Sequence, residues 1–178
     1  MRSTGLLVCL ALVLVGVLWF VRHEDNHRSA QTVSSLPAPP TPHRTEGTCA
    51  TPPWSPKVTG GRTGRVSVSP QPTAAFAYWL PGLNSKKCRV VVTKLTEGQA
   101  ASLAADVRDS TYRRGAYSCP ADDDSTVWIF FRYADRTGYE VVSAQLTGCS
   151  FAGAPHRGEV GPFWRGTDEL RALRPAGV

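Results

Sequence analysis

The stretch from Ser118 to Cys149, SCPADDDSTVWIFFRYADRTGYEVVSAQLTGC, constrains the fold of this chain more than any other. It predicts two long antiparallel strands around a turn, with a cysteine near each outer end. In the first strand, Thr126 to Tyr133, apolar residues occupy both faces. Val127, Ile129, Phe131 and Tyr133 lie on one, Trp128 and Phe130 on the other. Apolar groups on both sides mean that both sides are covered, which predicts a central strand. Asp135-Arg136-Thr137-Gly138 supplies the turn, where Gly138 takes positive φ at no steric cost. The returning strand, Tyr139 to Leu146, puts Val142, Ala144 and Leu146 on one side and Tyr139, Val141, Ser143 and Gln145 on the other. It is the more polar partner.

Upstream of this hairpin, Arg65 to Ser69 alternates and predicts a short strand, followed by the proline-bounded apolar segment Ala74 to Leu80. The β-branched run from Lys87 to Thr93 predicts another strand. The clearest helix follows. Thr96 is placed to cap it, Glu97 favours the positive end of the dipole, and Gln99 completes a capping box. Ala100, Leu103, Ala104 and Val107 then share one narrow face. Thr167 caps a short last helix, Asp168 to Arg174, with Leu170 and Leu173 as its apolar pair. Strands, helix, hairpin and short helix add up to an α+β domain with a small antiparallel sheet.

The first residues set a different constraint. Gly5 to Val21 is uncharged and, at about 1.5 Å per residue, nearly spans a bilayer as a helix. It ends in Trp19-Phe20-Val21 and then Arg22-His23-Glu24-Asp25, which offers no small-x-small cleavage site. An uncleaved signal anchor over residues 1–22 is expected, with a cleaved signal as the alternative, and Cys9 is read as a small apolar residue within it. Residues 23–48 are polar and then proline-rich, including SSLPAPPTPHRTEG, and are expected to form an extended spacer. The domain proper is placed at 49–178.

Charge around the apolar segment does not orient it, but the cysteines do. Cys49, Cys88, Cys119 and Cys149 are even in number and show no CxxC metal spacing. They fit an oxidising compartment, so the domain is expected outside the cytoplasm of a single-pass membrane protein. If the hairpin turns near Arg136-Thr137, Cys149 lies opposite the Ala121–Asp124 region, close in the chain to Cys119. A Cys119–Cys149 bridge then clamps the open end, and Cys49 pairs with Cys88.

Net charge is +6, partly on Arg2 and Arg22 beside the apolar segment, and no run of five or more basic residues occurs. No nucleic-acid footprint is therefore expected. Gly148-Cys149-Ser150-Phe151-Ala152 approaches a nucleophile elbow, but Gly153-Ala154-Pro155 forbids the helix that must follow Ser150. His156 is the sole histidine after Cys49, too few for a histidine metal cluster. Asp122, Asp123 and Asp124 lack EF-hand spacing and are read as a solvated turn. Arg113, Arg114, Arg157 and Arg165 are read as solvated charges, and Phe163-Trp164 as a lid over the core. No catalytic residue, cofactor or metal ligand is assigned.

Cys88-Arg89, Ser118-Cys119-Pro120-Ala121-Asp122 and Leu146-Thr147-Gly148-Cys149, behind an apolar anchor and a proline-rich stalk, resemble a family of secreted or membrane-anchored actinobacterial proteins of unknown function. The resemblance implies location and no chemistry. The expectation is a non-catalytic module binding a protein or envelope component. The alternatives are an envelope hydrolase and an accessory or sensory subunit of a neighbouring membrane protein.

Overall fold

A computed structural model describes residues 31–52, 54, 56–57, 68–109, 123–148 and 167–176. From the N-terminus the strands are β1 (Thr32–Val33), β2 (His43–Thr45), β3 (Thr48–Ala50), β4 (Ala74–Leu80) and β5 (Val91–Leu95). Helix α1 (Glu97–Asp109) comes next, then β6 (Thr126–Arg132), β7 (Tyr139–Gln145) and helix α2 (Thr167–Leu173). A five-stranded sheet has the order β1-β7-β6-β4-β5, and β2 and β3 form a separate hairpin. Every pairing is antiparallel. A mostly antiparallel sheet with few helices is consistent with the α+β class expected.

β6 is the middle strand, paired with β7 and β4, and Val127 to Phe131 are all buried. The register Thr126↔Gln145 to Arg132↔Tyr139 places the turn at residues 133–138, and Gly138 has φ +84°. One sheet face carries Trp79, Ile129, Phe131 and Val142, covered by Ala100, Leu103, Ala104 and Val107 of α1 and by Leu170 of α2. The opposite face carries Tyr78, Leu80, Trp128, Phe130 and Val141, with Val33, Leu36 and Trp54 packed on it.

α1 starts as its sequence dictates. The Gln99 amide donates to Thr96 Oγ1 at 3.3 Å, and the Thr96 amide donates to Gln99 Oε1 at 2.9 Å, so two otherwise orphaned donors are satisfied reciprocally. α2 begins one residue earlier than expected, within the usual uncertainty of helix ends.

Three expectations shift. The strand read at Lys87 to Thr93 forms instead at Val91–Leu95, because Cys88 is tied to Cys49 and the Arg89 amide closes a turn onto the Lys87 carbonyl at 2.9 Å. Val68 and Ser69, the described end of the strand read at 65–69, lie in no strand; the Ser69 amide and hydroxyl are taken by Glu140 instead. Part of the stretch read as a spacer is packed. β1 adds to the edge of β7 through Thr32↔Glu140 and Val33↔Tyr139, and the Tyr78 hydroxyl donates to the Pro37 carbonyl at 3.1 Å. Val33 is buried there because the sheet's second face offers aromatic surface that proline composition alone does not reveal.

The described residues include no helix long and apolar enough to cross a membrane, and Gly5 to Val21 lies outside them.

Candidate ligand-binding cleft

The sheet's second face opens into a cleft of about 500 Å³ at the end of the hairpin remote from its turn. Its apolar wall comes from Trp54, Leu80, Leu83 and Trp128. Strand register explains why polar groups stand beside them. Trp128 pairs with Ser143, and Thr126 pairs with both Leu80 and Gln145, so these side chains share one face. The sequence pattern had already placed Ser143 and Gln145 together on the polar side of β7.

Trp54 arrives from an irregular segment but is firmly seated. Its ring stacks on Tyr78 with centroids 6.1 Å apart, and it meets Trp128 edge-on at 5.6 Å. Burial, with Tyr139 nearby, raises the Tyr78 hydroxyl above the ordinary phenol range, so this platform stays neutral.

The rim is a chain of cross-links. The Cys49–Cys88 bridge, with Cα atoms 5.3 Å apart, fastens β3 to the loop before β5. The Cys49 amide donates to the Leu83 carbonyl at 2.9 Å, and the Leu83 amide donates to the Asp123 carbonyl at 2.7 Å. Gly82 is required here: a Cβ would stand 2.6 Å from the Asp123 carbonyl oxygen and 2.5 Å from its side chain. Arg44 adds a second fastening, donating from Nη1 to the Gly47 carbonyl (2.7 Å) and from Nη2 to the Ser85 (2.9 Å) and Lys86 (3.0 Å) carbonyls.

Asp123 holds the far side. Its Oδ1 accepts from the Ser125 amide at 3.0 Å and from the Thr147 hydroxyl at 2.7 Å. Burial pushes this carboxyl up, but those hydrogen bonds and the Arg174 charge outweigh it and leave it below its ordinary value. Asp123 thus closes the turn before β6. Asp124, with φ +61°, lines the cleft. Among the described residues, no cluster of His, Cys, Asp or Glu could hold a metal ion.

Two lining residues carry buried oxygens with no hydrogen-bond partner among the described residues: Thr51 Oγ1 and Gln145 Oε1. An orphaned buried oxygen costs about 1–3 kcal/mol, so two at one cleft call for a reason.

A second polar cluster lies on the helix-covered face and differs in kind. Glu140, 1% exposed, accepts from the Ser69 amide (2.6 Å), the Ser69 hydroxyl (2.6 Å) and Arg136 Nη1 (2.7 Å). The Arg136 guanidinium sits 4.6 Å over the Tyr133 ring, and the Tyr133 hydroxyl donates to the Ser69 carbonyl at 2.8 Å. Burial, reinforced by Glu140, holds the Tyr133 hydroxyl far above the ordinary phenol range. These groups satisfy one another and fasten the approach to β4 onto the hairpin turn. Sequence reading missed Glu140 altogether; a carboxylate between apolar strand neighbours, four residues after Arg136, was the available signal.

Of the residues weighed from sequence, Ser150, His156, Asp122, Arg113, Arg114, Arg157, Arg165, Phe163 and Trp164 lie outside the described residues, as do Cys119 and Cys149. The chain matches no protein-family model, and no curated protein or solved structure is significantly similar to it.

Proposed function

We propose that this chain is a binding module, anchored in the membrane and extracytoplasmic like the proteins its short cysteine motifs resemble, and that the Trp54–Trp128 cleft receives its ligand. The observation that carries the reading is a preformed cleft, lined by both apolar and polar side chains, with a cross-linked rim. That is the usual composition of a binding site, and about 500 Å³ lies within the roughly 300–1,000 Å³ of small-molecule pockets. The Cys49–Cys88 bridge supports an oxidising compartment. Gly5 to Val21 supplies the anchor. Because β1 already lies on the sheet, only ten residues separate Val21 from Thr32, a reach of at most about 40 Å. The module then works close to the membrane surface, where envelope components are its natural partners.

The test uses full-length protein in detergent, retained on cell-envelope fragments of the producing organism. Leu83→Asp changes an exposed rim residue, 39% accessible, and is expected to lower retention at least tenfold with an unchanged thermal melt. Equal retention of variant and parent, or retention of neither, overturns the reading.

A further inference from the structure

We infer that the cleft takes an uncharged, hydroxyl-bearing sugar ring. The inference rests on the binding-module reading and names its ligand.

The lining specifies two kinds of contact. Trp54 and Trp128 present indole surface at nearly a right angle, with an interplanar angle of 86°, and Tyr78 backs Trp54. A pyranose ring has an apolar face of C–H groups that packs on such surface while its hydroxyls point outward around the rim of the ring. The same cleft is lined by Thr51 and Gln145, whose buried oxygens are orphaned. Gln145 Oε1 can only accept a hydrogen bond, so its partner must bring a donor. Thr51 Oγ1 takes a donor or offers one. Both residues are only partly buried, and the broad terminal torsion of Gln145 lets its amide turn toward an arriving hydroxyl. Sugar hydroxyls meet both needs, whereas a purely apolar ligand leaves both oxygens orphaned.

Charge excludes the obvious competitors. Among the described lining residues there is no Lys, Arg or His, and Asp124 contributes a carboxylate. Among the described lining residues, a phosphate or carboxylate ligand therefore meets no cation. The energetic logic also explains a defect. Orphaned oxygens weaken the empty protein, and a hydroxylated ligand removes that cost on binding, so the cost persists where it serves recognition.

The experiment titrates full-length protein, in a detergent without a sugar headgroup, with maltose, cellobiose and trehalose. A disaccharide bearing a uronate is the charged counterpart. The readout is the indole N–H resonances of Trp54 and Trp128. At least one neutral disaccharide is expected to shift both resonances saturably and to compete with envelope fragments. Thr51→Val, which keeps the shape and removes the hydroxyl, is expected to weaken that binding about tenfold, the loss of roughly one hydrogen bond. The uronate is expected to bind more weakly than its neutral counterpart. Equal or tighter uronate binding overturns the inference, as does unchanged affinity in Thr51→Val. If the chain is retained on envelope fragments but no neutral sugar shifts the indoles or competes, the ligand class is wrong and the binding-module reading stands. If retention fails as well, both fall.

Discussion

Ser69 and Glu140 are 71 residues apart in the chain, yet the Ser69 amide and hydroxyl both donate to the Glu140 carboxylate at 2.6 Å. With Arg136 at 2.7 Å, the pair locks the approach to β4 against the hairpin turn. Glu140→Ala leaves the Ser69 donors and a guanidinium facing an empty space. It is expected to cost about 1–3 kcal/mol in urea unfolding, the usual penalty for buried donors left unsatisfied, since the part-exposed Arg136 keeps its contact to Asp135. A loss below about 1 kcal/mol would show that the network relaxes without it.

Gly138 carries two demands at once. Its φ is +84°, and a Cβ there would meet the Val33 carbonyl oxygen at 2.5 Å. Gly138→Ala is expected to push β1 off the edge of β7. The Val141 amide, which donates to the Gln31 carbonyl, should then exchange with solvent at least tenfold faster, while amides of α1 keep their protection. Unchanged exchange at Val141 would mean that β1 is not held by this contact.

Acid should act through Asp123. Its carboxyl titrates below the ordinary value in the folded chain, so its contribution is complete above the unfolded pKa of about 3.9 and is lost as pH falls through the lower folded value. Asp123→Asn is therefore expected to melt lower than the parent near about pH 6, with the gap closing as pH falls below the unfolded value of about 3.9. A constant gap across that range would refute the assignment.

The Cys49–Cys88 bridge closes a loop with a sequence separation of 39. The chain-entropy relation gives about 4 kcal/mol for such a loop, so the double Cys→Ser variant should lose stability of that order. It should also lose envelope retention first, since Cys49 and the loop around Leu83 form the rim. Retention that survives at full strength in the folded double variant would remove the rim from the site.

Much of the frame was legible in the sequence because it rests on local patterns. Alternating apolar residues placed β6 at the centre, Thr96 and Gln99 marked the start of α1, and Gly138 marked the turn. The cleft was less so. Ser143 and Gln145 read correctly as the polar side of β7, but nothing local reveals that Trp54, ninety-one residues before Gln145, would line the same cleft. Glu140 stayed hidden for the same reason: its partner Ser69 comes from an alternating segment that predicts a strand, yet Val68 and Ser69 lie in none. The docking of β1 followed from aromatic surface on β4 and β6, which a composition-based reading of residues 23–48 does not see.

The most direct measurement is a paired one on Gln145→Leu, recording the thermal melt and envelope retention of the same preparation. If the orphaned oxygen of Gln145 exists for a ligand, the variant removes a cost from the empty protein and a contact from the complex. The expected result is a melt equal to or above that of the parent, together with retention reduced about tenfold. A folded Gln145→Leu protein that is retained as well as the parent would contradict the assignment of this cleft as the binding site.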